Sequence, residues 1–197
     1  MKWIDRLLIA GLLLNLVILF ISTTSDWRIY YHYKYRNVTS LPLVSPVDPE
    51  KLTLPFEDTY GSYREPARFH QGVDLFCKLL TPVKNAHSGV LVKKRVDRLG
   101  GKSIWLLGLD NRLYYYAHLN TYGTHQAGDP VKCGEIIGFA GNSGNALHTP
   151  VHLHFEIMVI ERLFPFKKTN INPFPELQEL VQRSLFETVA DNIHKTP

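Results

Sequence analysis

The segment Val151–Ile157 alternates apolar and polar residues without interruption, reading Val-His-Leu-His-Phe-Glu-Ile. Successive side chains of a β-strand point to opposite faces, so His152, His154 and Glu156 share one face and the apolar residues are buried on the other. Two histidines at this spacing have Cα atoms about 7 Å apart, so one can bind a metal ion while the other reaches a water molecule beside it. Two solvent-exposed histidines would give the same pattern, and this segment alone leaves both readings open.

The region from about Phe56 to Pro175 has a residue pattern that is typical of a β domain. Short runs rich in Val, Ile and Tyr alternate with turns made of Gly, Asn and Pro, and no stretch keeps a helical periodicity. We therefore predict a mainly β domain over residues 56–175. The clearest strand candidates are Gly89–Lys94, Ser103–Gly108, Leu113–His118, Glu135–Ala140 and Val151–Val159.

The segment after Pro175 has a different pattern. Apolar residues recur near i, i+3 and i+4 spacing between Glu176 and Ile193, which indicates one amphipathic helix within residues 176–197. We expect this helix to pack on the sheet, and a helix that binds a partner is the alternative.

The N-terminal segment predicts export. Lys2 and Arg6 precede an apolar run from Leu7 to Ile21, and its length falls between the ~20 residues of a membrane span and the ~7–15 of a signal peptide. The run is apolar on every face, which disfavours a soluble helix. We favour an uncleaved anchor over residues 1–25, with the N-terminus in the cytoplasm. A juxtamembrane, proline-rich linker over 26–55 then follows, and the domain lies in the periplasm or cell-wall space, or is secreted if the segment is cleaved.

Charge and cysteine content exclude some classes of protein. The formal net charge is +4 with a pI near 9.0, which suits an anionic cell-wall polymer or lipid head groups. The cluster Lys93-Lys94-Arg95 is too short to predict nucleic-acid binding. Cys77 and Cys133 form no CxxC pair, so a thiolate zinc knuckle is excluded. A disulfide between them and two buried free thiols both remain open.

Two further histidines stand in segments that a zinc site would use. In His70-Gln71-Gly72-Val73-Asp74, a straight strand would separate the Cα atoms of His70 and Asp74 by about 13 Å. The chain must therefore turn between them, and Gly72 permits the turn. His118 ends a tyrosine-rich strand just before a predicted turn at 120–123, a position that is ordinarily structural.

Taken together, these segments supply a complete catalytic site. His70, Asp74 and His154 provide three ligands and leave the fourth zinc position open for water, as catalytic zinc requires. His118 and His152 are then available for proton transfer and for stabilising an oxyanion.

Seven stretches form a highly specific combination. They are FHQGVD (Phe69–Asp74), TPV (Thr81–Val83), SGV (Ser88–Val90), YYAHL (Tyr115–Leu119), GDPVKCGEIIGFAGNSGNA (Gly128–Ala146), VHLHFEI (Val151–Ile157) and NINP (Asn170–Pro173). Through them the sequence resembles the lysostaphin-type zinc metallopeptidases, which include many bacterial peptidoglycan endopeptidases. The resemblance implies that His70, Asp74 and His154 bind one zinc ion and that His118 and His152 are catalytic.

The resemblance also implies a compact antiparallel β fold, barrel-like or sandwich-like, with the site in a groove. Its implied activity is hydrolysis of peptide bonds in peptidoglycan stem peptides or cross-links. With no module that targets glycine bridges, a D-amino-acid cross-link is favoured over polyglycine. Two positions depart from the family pattern and affect the wall of the groove. Leu80 stands where the family usually has Gly before the Thr-Pro-Val stretch. His148-Thr149-Pro150-Val151 replaces the commoner Gly-Pro before the strand that carries His152 and His154.

Two other functions compete with hydrolysis. Catalytically inactive relatives that activate a separate wall hydrolase lack one or more of the five site residues, and here all five positions are filled. Biotinyl- or lipoyl-carrier domains share the glycine-punctuated β texture of Val90–Gly141. They need a displayed lysine motif that is absent here, and they leave the clustered histidines unexplained.

The predicted orientation can be tested with a phosphatase reporter that is active only outside the cytoplasm. Fused after Pro49, the reporter should be active, because Lys2 and Arg6 keep the N-terminus inside. A fusion that is expressed normally but is inactive would reverse the predicted topology.

Overall fold

A computed structural model describes residues 43–162 and 166–183 of the chain. The predicted anchor over residues 1–25 lies outside this part, and within it no helix is long and apolar enough to cross a bilayer. The strands are β1 (Tyr63–Arg64), β2 (Arg68–Phe69), β3 (Val73–Phe76), β4 (Pro82–Lys84), β5 (Gly89–Asp97), β6 (Gly101–Gly108), β7 (Arg112–Tyr122), β8 (Pro130–Val131), β9 (Ile136–Ala140), β10 (His152–Arg162) and β11 (Lys167–Ile171). Short 3-10 turns occur at Pro49–Lys51 and Gly144–Ala146, and helix α1 covers the described residues 174–183.

A nine-stranded antiparallel sheet forms the body of the domain. Its main path runs β11-β10-β7-β6-β5-β8, while β3 pairs with β10, and β9 pairs with both β4 and β7. The first half of β10 therefore lies between β3 and β7, and its second half between β7 and β11. The hairpin of β1 and β2 forms a separate two-stranded sheet. The mainly β, antiparallel fold is as predicted, and all five predicted strands are present, as β5, β6, β7, β9 and β10.

The apolar faces of β10 and β7 form the main core. Phe155 packs against Tyr114 and Tyr116, and all three side chains are fully buried. A buried tyrosine hydroxyl needs hydrogen-bond partners. The hydroxyl of Tyr116 accepts the backbone N–H of Ala86 and donates to Asn85 Oδ1. The alternation in the sequence thus leaves the opposite face of β10 for polar side chains.

The described part of the predicted linker, residues 43–55, packs onto the domain. It has little regular structure, but Val47 is fully buried in the core. The Val44 N–H donates to the Ala86 carbonyl and the Lys84 N–H to the Pro46 carbonyl, both at 2.9 Å. The packed domain therefore extends to residues before Phe56.

Helix α1 also joins the core. The side-chain oxygen of Asn172 accepts the backbone N–H of Phe174, the first residue of the helix, and so satisfies a donor that has no partner within the helix. Leu177 is fully buried, and Arg112 Nη1 donates to both carboxylate oxygens of Glu176 at 2.8 and 2.9 Å. The described helix starts two residues before the predicted Glu176 and packs on the sheet as expected. Residues 184–197 of that prediction lie outside the described part.

Cys77 and Cys133 are not joined by a disulfide.

Leu80 provides a test of backbone strain. It occupies the left-handed region, with φ 62°, and is 52% exposed. Leu80→Gly should raise the free energy of unfolding by roughly 0.5–1 kcal/mol, because left-handed non-glycine residues cost ~1–2 kcal/mol while glycine adds ~0.5–1 kcal/mol of chain entropy. Leu79 is equally exposed without the unusual φ, so Leu79→Gly should lower that free energy by about 0.5–1 kcal/mol. Urea denaturation measures both, and equal destabilisation would show that the Leu80 backbone is unstrained.

Candidate active site

Three electron-pair donors converge beside β10. Asp74 on β3 lies directly opposite His154 in the antiparallel register, so both side chains project from the same face. Asp74 Oδ1 is 3.1 Å from His154 Nδ1, and His70 Nε2 is 2.8 Å from His154 Nδ1 and 3.1 Å from Asp74 Oδ1. In residues 43–162 and 166–183, this is the one group of three or more such side chains arranged to hold a metal ion.

Gly72 lets His70 approach Asp74, but the reason differs from the predicted one. A Cβ at this position would lie 2.2 Å from the Phe155 carbonyl oxygen and 2.8 Å from Glu156 Cγ. Any larger residue would push the start of β3 away from β10. Glycine is needed here for the close approach of two strands, and its φ lies outside the left-handed region that would require glycine for the bend.

The three converging atoms fit a metal cation. His70 Nδ1–H donates to the Thr59 carbonyl at 2.8 Å, and His154 Nε2–H donates to Glu156 Oε1 at 2.8 Å. The lone pairs of the other two ring nitrogens therefore face each other and the Asp74 carboxylate, and they repel unless a proton or a metal ion lies among them. Ligands of a tetrahedral zinc ion, with Zn–N distances of ~2.0–2.1 Å, lie roughly 3.3 Å apart, which is close to the observed spacing.

The pKa values of Asp74 and His154 also indicate that this cluster favours a bound positive charge. Burial alone would raise the pKa of Asp74, but hydrogen bonds from His154 and His70 hold it far below its ordinary range. Burial would lower the pKa of His154, but the hydrogen bonds to Asp74 and Glu156 raise it to about 9. A proton and a metal ion thus compete for the same nitrogen.

An outer set of contacts fixes the orientation of these groups. Arg64 Nη2 donates to Asp74 Oδ2 at 2.7 Å, and Asn170 Nδ2 donates to Glu156 Oε2 at 2.7 Å. Glu156, which the strand alternation places on the same face as His154, is therefore a hydrogen-bond partner of that histidine. The roles of Thr59, Arg64 and Asn170 were not predicted from the sequence. The NINP stretch was a usable signal for Asn170, whereas no motif marked Arg64 or Thr59.

His152 and His118 lie next to this cluster. Their ring centroids are 4.9 Å apart, and His152 Nε2 is 3.8 Å from Asp74 Oδ1. His152 Nδ1–H donates to the Pro150 carbonyl at 2.8 Å, and His118 Nδ1–H donates to the Ser143 carbonyl at 2.9 Å. Because each carbonyl can only accept, Nε2 of both neutral rings carries a lone pair.

A β-bulge aims His118 at the site. Simple alternation would place His118 on the core face with Tyr114 and Tyr116, but its φ is 60° and the register of β7 shifts at this point. The left-handed residue turns the ring towards His152 instead. The predicted end of the strand at His118 is wrong, because β7 continues through the bulge to Tyr122.

Both of these histidines are set up to be neutral near pH 7. Burial, together with the neighbouring charges of His152 and His154, lowers the pKa of His118 to about 4. Burial also lowers the pKa of His152, although Asp74 opposes the shift. Neutral imidazoles with an open Nε2 can accept a proton.

The five histidine and aspartate side chains line a cleft of about 560 Å³, with Trp105 and Tyr115 also on its wall. The remaining described histidines take no part in it. His87 is buried against Tyr114, His125 pairs with Glu135, and His148 is exposed in the loop before β10. His32 and His194 lie outside the described residues.

Comparisons with known proteins point to one group of enzymes. The model of the family described as Peptidase family M23 matches residues 68–173. The chain is 33% identical over 115 residues to the L-Ala–D-Glu endopeptidase of Bacillus subtilis, covering 54% of this chain and 35% of that protein. The chain therefore spans about a third of the length of this relative.

Two solved structures resemble the chain. The catalytic domain of lysostaphin from Staphylococcus simulans has a TM-score of 0.53 at 35% identity, covering 61% of this chain and 89% of that one. A putative glycyl-glycine endopeptidase from Ruminococcus gnavus has a TM-score of 0.60 at 28% identity, covering 73% and 60%.

The metal cluster can be tested by elemental analysis. The purified full chain should hold one zinc ion, and His154→Ala should lose it because His154 Nδ1 lies within 3.1 Å of both other donor atoms. His148→Ala, which changes an exposed loop histidine, is the matched control and should keep the metal. Full zinc occupancy in His154→Ala would contradict the proposed ligand set.

Proposed function

The chain belongs to peptidase family M23, and from that membership we propose that it is a zinc-dependent endopeptidase that hydrolyses peptide bonds in peptidoglycan stem peptides or cross-links. One observation carries the proposal: a cation-demanding cluster of His70, Asp74 and His154 lies beside two neutral histidines in one open cleft. A site that only held a structural metal would have no use for His118 and His152 at this distance.

The relatives support the substrate class and leave the bond open. One is named for cleaving L-Ala–D-Glu and another for cleaving a glycyl-glycine bond. We propose that this chain cuts a peptide bond of the same polymer outside the cytoplasm. The charge of Lys2 and Arg6 before the apolar run Leu7–Ile21 supports that location.

In the proposed mechanism, His70, Asp74 and His154 hold the zinc ion. When bound, zinc would polarise the peptide carbonyl and lower the pKa of water towards ~7. Their outer partners hold each ligand in one orientation and one tautomer, which keeps the lone pairs directed inwards.

His152 and His118 move and hold the proton. Each ring is fixed through Nδ1 to a backbone carbonyl, so Nε2 is the atom that can accept the proton of the attacking water. Once protonated, the same Nε2–H can donate to the oxyanion that develops on the substrate carbonyl or to the leaving amine. The low pKa of His118, about 4, favours release of that proton to the product.

The roles of His118 and His152 can be separated from metal binding. His118→Ala and His152→Ala should keep the fold and the zinc, yet digest purified cross-linked peptidoglycan at least ~100-fold more slowly, because losing a general base or an oxyanion donor typically costs that much. His148→Ala should digest at the normal rate. Mass spectrometry of the released peptides measures the rate and identifies the bond.

Two outcomes would contradict this mechanism. Unchanged digestion in both alanine variants would show that these histidines are not catalytic. A zinc-loaded wild-type chain that releases no peptide would favour the alternative in which the chain activates a separate hydrolase.

A further inference from the structure

The wall of the cleft carries excess positive charge. Five cationic and three acidic side chains line it: Arg64, Arg68, Arg95, Arg98 and Lys168, against Asp74, Asp97 and Glu156. All three acids are already engaged. Asp74 binds Arg64, Glu156 binds His154 and Asn170, and Asp97 binds Arg95 and two backbone amides.

Arg68 and Arg98 are left without an acidic partner among the described residues. With the Asn145 carboxamide in the orientation that satisfies both of its neighbours, Arg68 Nη2 donates to its oxygen at 2.6 Å and its nitrogen donates to the Leu99 carbonyl at 2.7 Å. Asn145 is uncharged, so this contact holds the Arg68 guanidinium in place without neutralising it. Arg98 lies in the turn between β5 and β6, next to Leu99.

Both arginines are on segments that carry the site. Arg68 is two residues before His70 in the chain. Arg98 is two residues before Gly100, whose carbonyl accepts the backbone N–H of His118 at 2.8 Å. Both arginines line the same cleft as the histidines, so a ligand bound in that cleft lies close to them.

Lys168 has different surroundings. Its ammonium lies 4.1 Å from the centroid of the Trp105 ring and 2.8 Å from the sulfur of Met158, and burial lowers its pKa. The arginines remain charged at any working pH and match a carboxylate with two parallel hydrogen bonds. An anionic ligand would thus be recognised by Arg68 and Arg98 rather than by Lys168.

We propose that Arg68 and Arg98 bind a free carboxylate of the substrate close to the scissile bond, so that the chain prefers acidic stem peptides to uncharged glycine bridges. This inference rests on the proposed function, because it specifies the substrate of the same cleft. The carboxylate would be the partner that both cations otherwise lack.

A matched pair of peptides tests the inference. One is the synthetic stem peptide L-Ala–D-Glu–L-Lys–D-Ala–D-Ala with free carboxylates, and the other is the same peptide with every carboxylate converted to a carboxamide. Isothermal titration calorimetry on the zinc-loaded full chain carrying His152→Ala gives both Kd values without turnover. The acidic peptide should bind at least ~10-fold more tightly, the scale expected for charge-assisted hydrogen bonds.

Variants of the two arginines then test whether these residues cause the difference between the two Kd values. Arg68→Gln and Arg98→Gln in the same background should each bring the ratio of the two Kd values towards one. Arg183→Gln, which removes an exposed arginine on α1, is the control and should leave the ratio unchanged. Circular dichroism confirms that each variant is folded.

The outcomes separate the two proposals. Equal Kd values for the two peptides, or a ratio unchanged in both arginine variants, would overturn the inference. Cleavage of the pair by the wild-type chain is scored separately by mass spectrometry. If neither peptide is cut, the result counts against the proposed function. The ratio of the two Kd values still decides whether the cleft recognises the carboxylate.

Discussion

The antiparallel register of β3 and β10 is the constraint on which the site depends. It places Asp74 opposite His154 on the outer face, while Val73, Leu75, Leu153 and Phe155 are buried behind them. A slip of one residue would turn every side chain of a strand to the other face, burying the polar groups and exposing the apolar ones. The hydrophobic core therefore fixes the geometry of the polar cluster.

Part of this arrangement could be predicted from the sequence, because strand period alone decides it. The alternation of 151–157 assigns His152, His154 and Glu156 to one face, and the short spacing of His70 and Asp74 requires a bend between them. The position of His118 could not be read in the same way, since strict alternation assigns it to the core face. Its ring reaches the site only through a left-handed bulge that depends on pairing with two neighbouring strands.

Long-range contacts account for what else was missed. Arg64 meets Asp74 only because a separate hairpin folds beside the sheet, and nothing in its local sequence indicates that partner. Val47 was assigned to a linker because prolines surround it, yet it is fully buried by strands that lie far away in the chain. Local propensity marks irregular backbone correctly around Val47 but does not say what that backbone packs against.

The polar cluster also contacts the hairpin that forms part of the cleft wall. The β1–β2 hairpin pairs with no strand of the main sheet, and side-chain hydrogen bonds from Arg64 to Asp74 and from Arg68 to Asn145 connect it to the rest of the domain. A cation held among the three donors would remove the repulsion between their lone pairs. Arg68 belongs to this hairpin and lies two residues before His70 in the chain. The proposed metal ligand and the proposed carboxylate-binding guanidinium are therefore carried by one short segment of the chain.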